Sequence, residues 1–362
     1  MGSRNTRRIA VLGAGSWGTA LAFVAARLGH DVRLWARRSK QAEQMIREAR
    51  NPDYLSDYGF PENLHPTADM EVALANADVI LLVPSSQGMR ETVARLQPHW
   101  QGKSPLVSAA KGLESNTLLR MSEVIQEELG NPSHAPIAAL SGPNFAVEIM
   151  RGLPAGTVVA ADDEGWAKEV QHILSGPELR IYTSDDLCGV ELGGALKNIY
   201  AIGVGILHSL DLGYNSQATL ITRGLAELAR LGVHLGAHPF TFAGLSGLGD
   251  LVLTCTSDLS RNRRAGLALG QGDTPDEIRA RGETIEGLRA TAAAQALAAK
   301  QQVEMPIVNE LNAVLFEQKP AQVAVQTLME RAAKTEREQE FVIQPEAEFI
   351  NRDEGLEPKG DG

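Results

Sequence analysis

Arg8 to Leu12 (RIAVL) runs directly into Gly13-Ala14-Gly15-Ser16-Trp17-Gly18, and from there into a helical stretch between Thr19 and Leu28. A strand, a Gly-x-Gly-x-x-Gly turn and a helix in that order restrict the possible folds more than any other feature of the chain. Gly13 permits the tight turn, Gly15 lets backbone approach a pyrophosphate, and Gly18 lets the helix pack on the strand. The helix N-terminus adds its positive dipole, so the segment reads as a dinucleotide site. The next strand, Asp31 to Trp35, ends in Ala36-Arg37-Arg38. A site for the unphosphorylated dinucleotide usually carries an acid here for the ribose hydroxyls; two forked guanidiniums suit a 2′-phosphate instead. The alternative for Arg37 and Arg38 is a solvated loop.

A helix from Lys40 to Arg50 follows, then NPDYLSDYGFPENLHPT, whose Pro, Asn and Asp content reads as an ordered excursion without regular structure. Three apolar runs, Val79–Val83, Pro105–Ser108 and Ile137–Leu140, lead to loops that hold Lys111, Gly142 and Asn144. Thr157–Ala160 and Leu179–Thr183 extend the series. Apolar strands alternating with helices imply a parallel sheet covered on both faces, with ligands bound beyond the carboxyl ends of the strands. After Ser184 the pattern is helical throughout. The expected architecture is an α/β Rossmann-type N-terminal domain with a mainly parallel sheet over residues 1–190, and an all-α domain over 191–334. A charged tail, 335–362, is expected to be poorly ordered.

Nine acidic and three basic residues in that tail account for −6 of the net charge of −11. The body is therefore nearly balanced, and without a basic stripe no nucleic-acid partner is expected. No uninterrupted apolar run approaches the roughly 18 residues of a membrane span, so no membrane partner is expected either. Two cysteines, Cys188 and Cys255, point to a reducing cytoplasmic compartment and to no metal site.

Near the midpoint lies Glu191–Ser209, ELGGALKNIYAIGVGILHS, which is apolar nearly all round as a helix and rich in glycine. Such a helix is buried, and its glycines imply close backbone neighbours. Its cation, Lys197, either snorkels to the surface or is a desolvated ammonium able to exchange protons with a substrate. Further on, Phe242–Leu251 sets Asp250 in a glycine-rich apolar loop, where it could be a helix cap. Ser260-Arg261-Asn262-Arg263-Arg264 leads into a helix expected from Ala265. Arginine ahead of a helix has the wrong charge for the dipole unless an anion binds there. Glu286, in Thr284-Ile285-Glu286-Gly287, is an isolated acid that the residue pattern alone does not single out.

Taken in order, GAGSWGTALA, AAKGLE, SGPNFA, ELGGALKNIYAIGVGI, GLSGLGDLVLTCTSDLSRNRRAG and the later IEG closely resemble the bacterial-type NAD(P)-dependent glycerol-3-phosphate dehydrogenases. The resemblance runs from about Arg8 to about Lys334, and six spaced motifs are far more specific than one glycine fingerprint. It implies reversible reduction of dihydroxyacetone phosphate to sn-glycerol 3-phosphate with NADP or NAD, feeding glycerophospholipid synthesis. It places Gly13, Gly15, Gly18, Ser16, Trp17, Arg37, Arg38, Ala146 and Glu286 at the dinucleotide. Lys111 and Arg261 fall where cofactor and substrate are both contacted. Gly142, Asn144, Asp250, Ser260 and Asn262 fall at the substrate, and Lys197 at the proton-transfer position. The chemistry agrees, because ketone reduction builds negative charge on oxygen that a lysine can quench while delivering a proton. Lys111 would add a second positive charge, and Asp250 would hold Lys197 or a substrate hydroxyl. A homodimer is possible. The rival readings are a 3-hydroxy acid dehydrogenase of the same plan, which needs no phosphate grip, and a catalytically silent dinucleotide sensor, which leaves Lys197, Asp250 and Arg261 idle.

Overall fold

Among the described residues, eight strands form one sheet: β1 (Arg8–Leu12), β2 (Asp31–Trp35), β3 (Leu64–Thr67), β4 (Val79–Leu82), β5 (Leu106–Ser108), β6 (Ile137–Ser141), β7 (Ala155–Ala161) and β8 (Leu179–Ser184). The computed structural model describes residues 5–132, 135–282, 285–333 and 335–336. The charged tail expected over 335–362 thus lies almost wholly outside the described residues. Strand order is β3-β2-β1-β4-β5-β6-β7-β8, parallel throughout except between β6 and β7. The order reverses between β1 and β4, and doubly wound sheets place ligands at that switch point, beyond the carboxyl ends of the strands.

Between and beside the strands run α1 (Ser16–Arg27), α2 (Ser39–Glu48), α3 (Met70–Leu74), α4 (Met89–Leu96), α5 (Met121–Glu128), α6 (Ala146–Met150) and α7 (Glu164–Leu174). They cover both faces. Side chains alternate across β1, so Ile9 and Val11 join one buried apolar cluster while Ala10 and Leu12 join another on the opposite face. Past β8 come α8 (Leu187–Ser209), α9 (Gly213–His234), α10 (Asp250–Thr256), α11 (Arg261–Gly270), α12 (Pro275–Ala280), α13 (Glu286–Gln301), α14 (Pro306–Phe316) and α15 (Ala321–Met329). Helix α8 is buried along nearly its whole length, as its all-round apolar pattern requires. Gly205 on α8 and Gly266 on α11 meet backbone to backbone, and a Cβ on either would collide with the other helix. In the second turn of α8, the Glu191 carboxylate accepts from Ser122 N at 2.8 Å and from Arg120 Nη1 at 2.9 Å. That joins α8 to the start of α5.

Two sequence expectations need correction. The stretch read as irregular contains β3, whose Pro66 is accommodated because β3 is an edge strand that, among the described residues, pairs only with β2. Three helices also begin earlier than their apolar runs suggest: α1 at Ser16, α8 at Leu187 and α11 at Arg261. For the last two the cause is a polar N-cap. Asp186 accepts from Gly189 N at 2.8 Å, and Ser260 accepts from Arg263 N at 3.2 Å.

Candidate active site

At the carboxyl end of β1 the chain turns through Gly13 at φ +126°, with Gly13 N donating to Trp35 O at 3.0 Å. A Cβ on Gly13 would stand 2.5 Å from Val83 O, so only glycine lets this turn cross the end of β4. Gly15 is the N-cap of α1, and a side chain there would meet no described residue within 4 Å. No side chain caps this helix and its first turn carries no acid. Its backbone donors and positive dipole therefore face open space, which fits a dinucleotide pyrophosphate. Trp17 packs against the sheet cluster behind the loop. Beyond β2, Arg37 and Arg38 are both exposed. Arg37 meets Glu91 at 3.2 Å, and Arg38 meets Asp53 at 3.1 Å.

A second group forms where β5, β6, α8 and α10 converge. Gly193 on α8 leaves room for the Ser246 carbonyl, which a Cβ would approach to 2.6 Å. The 245–249 turn can then lie against α8, which delivers Asp250 to Lys197. Gly249, not Asp250, is the N-cap of α10, so the alternative reading of Asp250 as a cap does not apply, and its side chain points to lysines. Its Oδ1 accepts from Lys197 Nζ, and its Oδ2 accepts from Lys111 Nζ at 2.6 Å. Lys111 Nζ also donates to Gly142 O at 2.9 Å, and Lys197 Nζ to Thr254 Oγ1 at 2.8 Å. Thr254 Oγ1 in turn donates to Asp250 O at 2.6 Å. Asp250 is fully buried and Lys197 is 7% exposed. Burial pulls the Lys197 ammonium down to about 8; Asp250 pushes back up and Lys111 adds to the lowering. Two cations and one carboxylate leave one net positive charge in a dry setting, which favours an oxygen that gains negative charge.

Beside it, α11 and α13 bring a third set together. Asn198, the residue after Lys197, donates to Glu286 Oε2 at 3.0 Å, and Arg261 Nη2 lies 3.7 Å from Glu286 Oε1. Asn262 Oδ1 accepts from Gly287 N at 2.8 Å. Arg261 is the exposed first residue of α11, whose first turn has no acid, so a cation and the positive end of the helix dipole lie together. Ser260 caps that helix. Asn144 donates to Thr157 Oγ1 at 3.0 Å, and its buried Oδ1 has no partner among the described residues. Ala146 opens α6 against the sheet cluster, next to the glycine loop's helix.

Lys111, Gly142, Lys197 and Asp250 thus touch directly, and Arg261, Asn262 and Glu286 gather one residue along α8. Gly13, Gly15, Ser16 and Arg37 stand apart at β1 and β2, on the same carboxyl edge of the parallel strands as Lys111 and Gly142. The sequence reading missed Thr254 and Asn198. Thr254 follows Asp250 by four residues, a spacing that puts both on one helix face; for Asn198 only its place beside Lys197 gave a sign.

Residues 8–167 match the family model for the NAD-dependent glycerol-3-phosphate dehydrogenase N-terminus, and residues 186–326 match that for its C-terminus. The chain is 46% identical over 329 residues to the glycerol-3-phosphate dehydrogenase [NAD(P)+] of Syntrophotalea carbinolica, covering 91% of this chain and 99% of that protein. It is 48% identical to the enzyme of that name from Halorhodospira halophila, covering 91% and 98%. The crystal structure of glycerol-3-phosphate dehydrogenase from Coxiella burnetii is similar with a TM-score of 0.85 at 44% identity, over 90% of this chain and 99% of that one. With both halves matched and relatives this similar over nearly their whole length, the chain belongs to the NAD-dependent glycerol-3-phosphate dehydrogenase family.

Proposed function

We propose that the Lys111–Asp250–Lys197 cluster is where dihydroxyacetone phosphate is reduced to sn-glycerol 3-phosphate, with Lys197 moving the proton. The reversible NAD(P)H-dependent reaction and its link to glycerophospholipid synthesis follow from the family. The observation that carries the residue assignment is a buried ammonium held near pKa 8 beside a second lysine and one shared carboxylate.

Gly13, Gly15 and Gly18 with the first turn of α1, including Ser16 and Trp17, hold the pyrophosphate. Arg37 and Arg38 take a 2′-phosphate, and Ala146 and Glu286 border the dinucleotide. When bound, the nicotinamide supplies or accepts the hydride. Lys197 Nζ gives its proton to the substrate's carbonyl oxygen in reduction and takes it back in oxidation. Lys111 Nζ supports the negative charge on that oxygen, and Asp250 keeps both ammonium groups aimed. Arg261, Asn262 and the α11 N-terminus grip the phosphate, with Ser260, Gly142 and Asn144 bordering the substrate. That grip separates this reading from a 3-hydroxy acid dehydrogenase. Residues 1–190 form the dinucleotide part and 191–334 the helical substrate part, a division that falls just after the first turn of α8, and each lends residues to the other's ligand: Gly142 and Asn144 to the substrate, Glu286 to the dinucleotide. The free thiols of Cys188 and Cys255 suit a reducing, cytoplasmic setting.

The test is the loss of reduced-nicotinamide absorbance with dihydroxyacetone phosphate and each cofactor, with inorganic phosphate as competitor. Turnover with both cofactors, inhibited competitively by phosphate, is expected. Turnover of a 3-hydroxy acid without phosphate competition would overturn the assignment.

A further inference from the structure

We infer that Asn51 and Gln41 are positioning residues for dinucleotide binding: they hold the Ala14 carbonyl inward, so that the Gly15 N–H of the same peptide faces the pyrophosphate. The inference rests on the dinucleotide reading of the glycine loop and adds what orients that loop. Asn51 is fully buried in the segment after α2, a segment anchored by the Arg50–Gly59 bridge and by Phe60 N donating to Ala49 O at 2.6 Å. Its Nδ2 donates to Ala14 O at 3.0 Å and to Thr19 Oγ1 at 2.8 Å. From α2, Gln41 Nε2 donates to the same Ala14 O, also at 3.0 Å. Gln41 is itself oriented, because its Oε1 accepts from Arg38 Nη2 at 3.3 Å. Two side-chain amides thus take both lone pairs of one loop carbonyl.

The peptide bond supplies the consequence. Cis bonds are absent from the described residues, and in a planar trans peptide C=O and N–H point in opposite directions. Pinning Ala14 O inward therefore turns the Gly15 N–H outward, on the side of the open α1 N-terminus. The pin is needed because this peptide turns about ψ of Ala14 and φ of Gly15, and glycine's φ is free to change at low cost. Rotated over, the same peptide would present a carbonyl oxygen to an anion. Every ligand carrying the pyrophosphate feels this orientation equally, with or without a 2′-phosphate.

Three substitutions separate orientation from general support. Asn51→Asp keeps the shape and replaces the donor with an acceptor; Gln41→Met keeps the length without a donor; Thr19→Val removes the other Asn51 contact and leaves the Ala14 bonds. Dissociation constants are measured by fluorescence titration on the full chain, and the parent values test dinucleotide binding itself. Asn51→Asp should weaken NADPH and NADH by the same factor, about tenfold or more, which is the scale of one charge-assisted hydrogen bond. It should leave the affinity for 2′-AMP, which lacks the pyrophosphate, within about twofold. The Michaelis constant for dihydroxyacetone phosphate and kcat at saturating cofactor should hold. Gln41→Met, read with NADH so that Arg38 does not enter, should weaken binding in the same direction, and Thr19→Val should not. If Asn51→Asp does not fold, Gln41→Met decides. Unchanged NADH affinity in the variants that fold would overturn the inference, as would 2′-AMP weakened as much as the dinucleotides in Asn51→Asp.

Discussion

Lys197 and Asp250 touch inside the protein, ammonium to carboxylate, with Asp250 fully buried and Lys197 nearly so. Burial disfavours the charged lysine and the aspartate favours it; the balance sets Lys197 at about 8. Reduction needs the protonated amine as acid, so kcat/KM for reduction should fall as pH rises through about 8, and oxidation should rise over the same interval. Asp250→Asn removes the main opposing charge and leaves burial and Lys111 opposed only by the smaller influence of Glu286. The alkaline limb of the reduction profile should then move down by about one pH unit or more. A profile that keeps its limb in the variant would show that Lys197 does not report it.

Arg261 stands first on α11, half-exposed, and among the described residues its only counter-charge is Glu286 at 3.7 Å. A phosphate bound there would gain a charge-assisted contact of roughly 1.5–3 kcal/mol. Arg261→Ala should therefore lower kcat/KM for dihydroxyacetone phosphate by at least about tenfold and affect unphosphorylated dihydroxyacetone far less. Equal losses for both substrates would remove Arg261 from the phosphate site.

Arg37 and Arg38 pair with Glu91 and Asp53 in exposed positions, where ion pairs contribute about 1 kcal/mol or less. Such pairs yield readily to a 2′-phosphate. Arg37→Asp with Arg38→Ala should reduce the ratio of NADPH to NADH specificity constants by about tenfold or more. An unchanged ratio would mean that neither arginine reads the 2′-phosphate.

The fold was legible where hydrophobic pattern and chemistry coincide. Apolar runs, alternating with polar residues in β2 and β8, identified seven strands, and the glycine fingerprint placed the first turn. β3 escaped because Pro66 argues against a strand in general, and only its edge position, a fact of tertiary structure, permits it. Helix starts were misjudged where the signal was one polar cap, Asp186 or Ser260, ahead of the apolar run. In the site, Lys197 and Asp250 stood out as charges in apolar surroundings. Thr254, Asn198, Gln41 and Asn51 did not, because their roles rest on contacts between elements distant in sequence and their residue types are ordinary in their segments.

Tyr200 lies one turn beyond Lys197 on α8 with its ring against Gly224 of α9. Its buried hydroxyl has no hydrogen-bond partner among the described residues, and burial pushes the phenol pKa well above its ordinary value. A buried unpaired hydroxyl is destabilising, so Tyr200→Phe should stabilise the fold by about 1 kcal/mol, read as a higher urea midpoint at an unchanged slope. A lower midpoint would show that the hydroxyl is satisfied by buried water.

The proton-transfer role of Lys197 is tested most directly by the single-turnover rate of hydride transfer in Lys197→Met with saturating NADPH and dihydroxyacetone phosphate. Methionine preserves the length and apolar stem on α8 while removing the proton. Folding and dinucleotide affinity should survive, and the rate should fall by about a hundredfold or more. A rate within a few fold of the parent would contradict the account and move the proton to Lys111.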